Sequence, residues 1–309
     1  MPHSQPRVER EAPAGVLVPG TRRARSRRRR RVRQSWVVAL LVIAGTAIFT
    51  YPSAASWFSA LAQDGEVSGY VSEVAALQDP VKERILDEAR DYNAAIPEIL
   101  LTDPYAADPS TETTADGAVE RYLAQLQTPG SKVMARVQIP AINVDLPIYH
   151  GTSEEALENG VGHLFGSSLP VGGASSHSVL TGHSGLVSAT LFDNLKDVQL
   201  GDTFSITVLD EVLYYVVDDI RTVLPTEVED LAIGQNKDYV TLVTCTPTGV
   251  NSHRLLVRGE RVDVQQLAPA ERVVAGSDGS AGFPWWALIL AVSVLVAVAL
   301  AAWLRRDRR

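Results

Sequence analysis

Two long runs without a charged side chain bracket the middle of this chain. The first extends from Gln34 to Gln63, with Trp36 to Tyr51 almost wholly apolar. The second extends from Gly279 to Leu304, with Phe283 to Leu304 rich in Ala, Val and Leu. At about 1.5 Å per residue, each is long enough to cross a hydrocarbon core roughly 30 Å thick. Trp36, Trp57, Trp285, Trp286 and Trp303 lie near the ends of the runs, where amphipathic rings favour the interface.

Charge fixes the direction in which such a chain threads. Residues 1–35 carry eleven Arg against two acidic side chains, and residues 305–309 carry four Arg and one Asp. The segment between them is net −20 within an overall charge of −8. Basic residues stay on the cytoplasmic side, so both termini are expected there and residues 64–278 outside. The Arg run 27–31 reads as this topology signal. No nucleic-acid partner is expected, because the acidic body repels phosphate. Ala60-Leu61-Ala62 has the small-x-small form of a signal-peptidase site, so the first run is either a retained anchor or a removed one. The second run anchors the chain in both cases.

These landmarks divide the chain into a basic segment (1–34), a transmembrane or signal-anchor helix (35–58), a helical preface (64–99), a lid loop (100–132), a β domain (133–265), a linker (266–282), a second transmembrane helix (283–304) and a basic tail (305–309). Val67, Val71, Val74 and Leu77, then Val81, Ile85, Leu86 and Ala89 after Pro80, follow helical spacing and predict a helical hairpin over 65–95. Residues 100–131 are dominated by Asp, Pro, Thr and Gly around a short apolar return at 119–126, the composition of a lid or a linker. Short strands are predicted at 135–139, 142–149, 178–181, 203–209, 212–218, 220–224, 239–245 and 254–262, with short helices at 153–159 and 190–195. With no long amphipathic helix between strands, a mainly β barrel or sandwich is favoured over a doubly wound sheet.

The chemistry converges on one thiol. Cys245 is the single cysteine, which excludes an intrachain disulfide and a cysteine-based zinc cluster. It ends an apolar strand, Tyr239 to Thr244, and Pro247 then stops ladder pairing. A lone unpaired Cys in an exported domain is either a small buried hydrophobe or a displayed nucleophile. If the strand of Arg254 pairs antiparallel with that of Cys245, the guanidinium lies beside the thiol and can stabilise negative charge, though it cannot act as a base. His183 lies where Val179-Leu180-Thr181 runs into a Gly-bracketed turn, which places an imidazole at a barrel rim. His150, His163, His177 and His253 read as ordinary surface or capping histidines, and Asp218-Asp219 and Glu154-Glu155 as a solvated acidic surface. No glycine-rich phosphate loop and no metal-ligand cluster is visible, so neither cofactor nor metal is expected.

Thr181-Gly182-His183-Ser184-Gly185, Thr241-Leu242-Val243-Thr244-Cys245-Thr246-Pro247 and Asn251-Ser252-His253-Arg254-Leu255 together resemble the sortases of Gram-positive bacteria. Gly162 to Gly173, the second membrane run and Asp103-Pro104-Tyr105 look like class C, the pilin-polymerising branch with an Asp-Pro-aromatic lid. Ser184, Tyr105 and Phe165 depart from frequent class C residues (Arg, Trp or Phe, and Glu), which bears on substrate preference and lid strength. The resemblance implies an eight-stranded sortase barrel and a transpeptidation. Cys245 would attack the Thr–Gly bond of an LPXTG-type sorting signal, His183 would carry the proton, and Arg254 would hold substrate and oxyanion. A lysine amine of another pilin subunit would resolve the thioester. The other readings are a cell-wall-anchoring sortase using a peptidoglycan-precursor amine, a hydrolytic cysteine peptidase, and a non-catalytic membrane-anchored binding domain.

Overall fold

The computed structural model describes residues 21–96, 103–105, 117–267 and 282–306. The expected linker therefore lies mostly outside the described residues, as do the lid residues flanking 103–105. The chain divides into two compact units, residues 1–51 with 285–309, and residues 52–284.

In the first unit, the beginning of α1 (Thr21–Ala76) packs with α5 (Trp285–Arg306). Both helices are long and apolar enough to cross a membrane. Their contact is made by small residues, Ala39, Ala297 and Ala301, with Ile43 beside them. The Thr46 and Ser293 hydroxyls lie 2.9 Å apart across it. Small side chains let two helices approach closely, and a hydroxyl pair in lipid has no water to compete for its hydrogen bond.

The second unit is a closed barrel built on eight strands, in the order β1-β2-β3-β4-β7-β8-β6-β5. They are β1 (Val133–Ile139), β2 (Val144–His150), β3 (Val161–His163), β4 (Ser176–Thr181), β5 (Thr203–Val208), β6 (Glu211–Val223), β7 (Asp238–Thr246) and β8 (His253–Val262). The pairs β2/β3 and β4/β7 are parallel and the rest antiparallel. Two strand predictions are corrected. The segments 212–218 and 220–224 form one strand, β6, which a bulge at Val217/Asp219 lets bend without breaking its ladder with β8. β3, three residues long, was not predicted, because it is too short to show alternation. The predicted helix at 190–195 is a series of turns ending in a 3₁₀ turn at Leu195–Asp197, whereas α4 (Glu154–Asn159) forms where expected, capped by the Ser153 hydroxyl.

The helical preface also differs in form. Helix α1 runs without interruption through residues 64–76, and α2 (Asp79–Ala95) follows after a short break with Pro80 in its first turn. Leu86 and Ala89 of α2 join Tyr70 and Val74 of α1 in the hydrophobic core. The Tyr70 hydroxyl donates to Met134 O and accepts from Leu209 N, which fixes α1 on β1. With a helix outside and the barrel lumen inside, all seven residues of β1 are buried. One of them is Arg136, whose guanidinium makes a bidentate pair with Asp145 at 2.6 and 2.5 Å across the β1/β2 ladder.

The apolar return in the lid region is a helix, α3 (Ala118–Leu123). It is anchored by Tyr122, which is fully buried. The Tyr122 hydroxyl accepts from Gly151 N and faces both Nδ1 and the main-chain oxygen of His163, at 2.9 and 3.0 Å. The surface reading of two histidines is thereby corrected. His163 and His177 are buried, His163 donating from Nε2 to Ser168 O and His177 from Nδ1 to Ala232 O while its Nε2 meets the Thr241 hydroxyl at 2.7 Å. Both act as core hydrogen-bond hubs.

Candidate active site

The barrel brings three sequence-predicted residues to one rim. β7 and β8 pair antiparallel with Cys245 directly opposite Arg254. β4 runs parallel to β7 on its other side, and their last paired residues are Thr181 and Val243. Two residues beyond that pair lie His183 on one side and Cys245 on the other. Neighbouring strands stand about 4.8 Å apart, so the thiol is flanked by the imidazole loop and the guanidinium strand.

The loop carrying His183 is pinned from behind and from the front. Gly182 N donates to Val243 O at 3.1 Å, and Phe192 N donates to His183 O at 3.0 Å. A Cβ on Gly182 would sit 2.7 Å from the Phe192 ring, so only glycine fits there. Gly185 has φ +81°, and its N–H donates to the Asp193 carboxylate. Thr244 Oγ1 donates to Gly182 O, and Ser184 Oγ to Cys245 O, each at 2.7 Å.

Asp103, Pro104 and Tyr105 lie over this rim. Asp103 receives a two-pronged pair from Arg254, Nε to Oδ1 at 2.9 Å and Nη2 to Oδ2 at 2.6 Å. The Tyr105 ring lies 4.8 Å from the Arg254 guanidinium and 5.6 Å from the His183 ring. Its hydroxyl donates to Gly182 O at 2.7 Å. Behind it, the ring packs on a small apolar cluster that includes Leu164, Val179, Val243 and Leu256. Beneath these residues Cys245 is only 8% exposed.

Electrostatics follow from that cover. Burial pushes the Cys245 thiol above its ordinary value, and Asp103 adds to the rise, while Arg254 and the Tyr105 hydroxyl pull it down. Burial lowers His183, with Glu154 and Glu158 of α4 opposing the effect. Under the lid, then, the pair rests as thiol and neutral imidazole. Glu154 and Glu155 are exposed, as expected of a solvated acidic pair, and so is Glu158, yet the field of Glu154 and Glu158 reaches the imidazole. Among the described residues, no group of three or more His, Cys, Asp or Glu side chains is placed to hold a metal ion.

Sequence reasoning missed the straps formed by Ser184 and Thr244 and the anchor formed by Tyr122. Ser184 and Thr244 stand inside the quoted motifs, but a hydroxyl's partner cannot be read from its neighbours in sequence. Tyr122 had one signal, an aromatic in a short apolar stretch of an otherwise polar loop.

Comparison with known proteins agrees with the fold. A sortase domain model matches residues 137–262. The structure resembles sortase C-1 from Actinomyces oris, with 48% identity, coverage of 59% of this chain and 99% of that one, and a TM-score of 0.55. It also resembles a sortase C from Streptococcus pneumoniae described for its catalysis and pilin substrate specificity, with 39% identity, 62% and 92% coverage, and a TM-score of 0.55. Among curated proteins, Sortase A of Streptococcus agalactiae serotype III (strain NEM316) is 26% identical over 154 residues, which are 49% of this chain and 62% of that relative. The match to it thus spans about three-fifths of its length. The chain belongs to the sortase family. Its likeness to sortase C-1 and sortase C sets it in class C.

Proposed function

We propose that this chain is a membrane-anchored cysteine transpeptidase that joins pilin subunits. In this reading Cys245 attacks the Thr–Gly carbonyl of an LPXTG-type sorting signal. The thiol proton passes to His183, and Arg254, released from Asp103, stabilises the oxyanion. The tetrahedral adduct expels the glycine amine, which takes the proton from His183, and leaves a thioacyl enzyme. A lysine amine of a second subunit then attacks the thioester, gives its proton to His183, and forms an isopeptide bond as the Cys245 sulfur leaves. The acyl enzyme conserves the energy of the broken peptide bond, so no nucleotide is consumed.

The observation that carries the reading is the convergence of His183, Cys245 and Arg254 at one rim beneath Asp103 and Tyr105. Pilin as the substrate class rests on the likeness to class C and to the S. pneumoniae relative. The two apolar helices support a two-pass anchor, and the Arg clusters near both ends of the chain support a barrel on the outside.

Incubation of the full chain in detergent with an LPXTG-type peptide and a lysine-bearing acceptor peptide tests the proposal. The expected product is a branched peptide joined through the lysine side chain. Hydrolysed peptide alone would favour a peptidase, and products joined only to peptidoglycan-precursor amines would favour cell-wall anchoring.

A further inference from the structure

The main-chain ladder between β4 and β7 ends at Thr181 and Val243, two residues short of His183 and Cys245. Beyond that point hydroxyl side chains tie the two strand ends together. Thr244, one residue before the cysteine, reaches the carbonyl next to His183. Ser184, one residue after the histidine, reaches the carbonyl of Cys245 itself at 2.7 Å. The two straps are reciprocal and flank the pair that must exchange a proton. They differ in their relation to the lid. Gly182 O receives both Thr244 and the Tyr105 hydroxyl, so lid opening removes one of its donors. The bond from Ser184 to Cys245 O involves no lid residue.

We propose that Ser184 is a positioning residue, whose hydroxyl holds the His183 loop against the main chain of Cys245 when the lid is open. Behind the loop, Phe192 N donates to His183 O and Asp193 accepts from Gly185 N, bonds that hold the loop to residues 192–193 and do not tie it to β7. Without Ser184, the hydrogen bonds left between the front of the loop and β7 among the described residues are those of Gly182, to Val243 O and from Thr244. The imidazole then keeps its chemistry but samples positions out of reach of the sulfur, and proton transfer is sensitive to such displacement. The consequence for turnover rests on the transpeptidase reading above, but the geometric claim does not.

The experiment uses the full chain in detergent with Ser184→Ala, Ser184→Thr and His183→Ala. With an LPXTG-type peptide and a lysine-bearing acceptor, Ser184→Ala is expected to lower kcat roughly tenfold and to leave KM for the sorting peptide within about twofold, since nothing that binds substrate is removed. Ser184→Thr keeps the hydroxyl and should restore kcat. The second readout needs no substrate: the pH dependence of Cys245 alkylation by iodoacetamide. The groups facing the pair are Asp103 and Tyr105 from the lid, Arg254 from β8, and Glu154 and Glu158 from α4, and all remain in every variant. Ser184→Ala should therefore move the profile toward that of His183→Ala, and Ser184→Thr should keep the parent profile. A parent-like profile for Ser184→Ala overturns the proposal, as does a loss of kcat that Ser184→Thr fails to restore. If the parent does not turn over the peptide, the transpeptidase reading fails, and the alkylation profiles alone decide the role of Ser184.

Discussion

In the proposed reaction, Cys245, His183 and Arg254 each have a role that their nearest substitutes cannot fill. Cys245→Ala should abolish acyl transfer while leaving the melting temperature within a few degrees, because a small side chain at a strand end contributes little packing. Arg254→Lys should lower kcat/KM by at least tenfold. Arg254 engages Asp103 as a planar fork and also donates from Nη1 to Asn251 O and His253 O, each at 3.2 Å, whereas an ammonium is a point charge. Near-parent turnover by that variant would remove Arg254 from the chemistry. His163 behaves differently from His183. Its folded pKa is lowered to about 4 from 6.5, by burial first. The unfolded chain therefore binds the extra proton more readily between those values. The stability this histidine contributes is fully present above pH 6.5 and is lost as pH falls toward about 4. A shift of this size is worth on the order of 3 kcal/mol. Chemical denaturation of the parent should show that loss. A His163→Gln variant should start less stable, since it breaks the contact with Tyr122, but show a smaller decline between pH 7 and 4.

Among the elements, Asp103–Tyr105 is proposed as a lid whose hold on the rim can be bounded. The pair Asp103–Arg254 is close to nine-tenths buried at both side chains, 13% and 11% exposed. Hydrogen bonds to charged groups net roughly 1.5–3 kcal/mol, which exceeds the value of an exposed pair and leaves the site open on the order of a few per cent of the time or less. Replacing Asp103 and Tyr105 together by Ala should raise the rate of Cys245 alkylation by about tenfold or more, as that open fraction approaches one. It should also shift the alkylation profile to lower pH, because burial, the largest cause of the raised thiol, and the Asp103 carboxylate are removed, which outweighs the lost hydrogen bond from the Tyr105 hydroxyl. Equal rates in variant and parent would show that residues 103–105 do not cover the thiol. The strands around the site were largely legible because apolar runs broken by Gly, Pro and Asn mark both their extent and their ends. The antiparallel pairing that sets Arg254 opposite Cys245 was legible from the short Pro247–Ser252 turn. The parallel pairing of β4 with β7 was not, since nearly sixty residues separate the strands and the sequence contains no local signal of which neighbours will meet. The same distance hid the Ser184 strap and the burial of His163 and His177, whose partners arrive from remote segments.

For the whole molecule, the barrel and the membrane helices pose separate questions. The two charge-free runs were legible from composition alone, and both are helical. What composition did not convey is that the first helix continues through residues 64–76 as one element, so that α1 takes part both in the apolar pair with α5 and in the barrel core through Tyr70 and Val74. If both termini are cytoplasmic, a cysteine introduced at Ser4 should resist a membrane-impermeant maleimide in intact cells, and one introduced at Lys132, which is exposed on the barrel, should react. Labelling at Ser4 would reverse the topology. In the proposed reaction Cys245 becomes acylated by a sorting signal. Intact-mass measurement of the full chain after incubation with an LPXTG-type peptide, with and without the Asp103→Ala, Tyr105→Ala pair of changes, tests it most directly. The expected result is an adduct of the peptide's N-terminal fragment through threonine on Cys245, more abundant in the lid variant, absent in Cys245→Ala, and discharged by a lysine amine. No adduct in the lid variant, or an adduct that persists in Cys245→Ala, would contradict it.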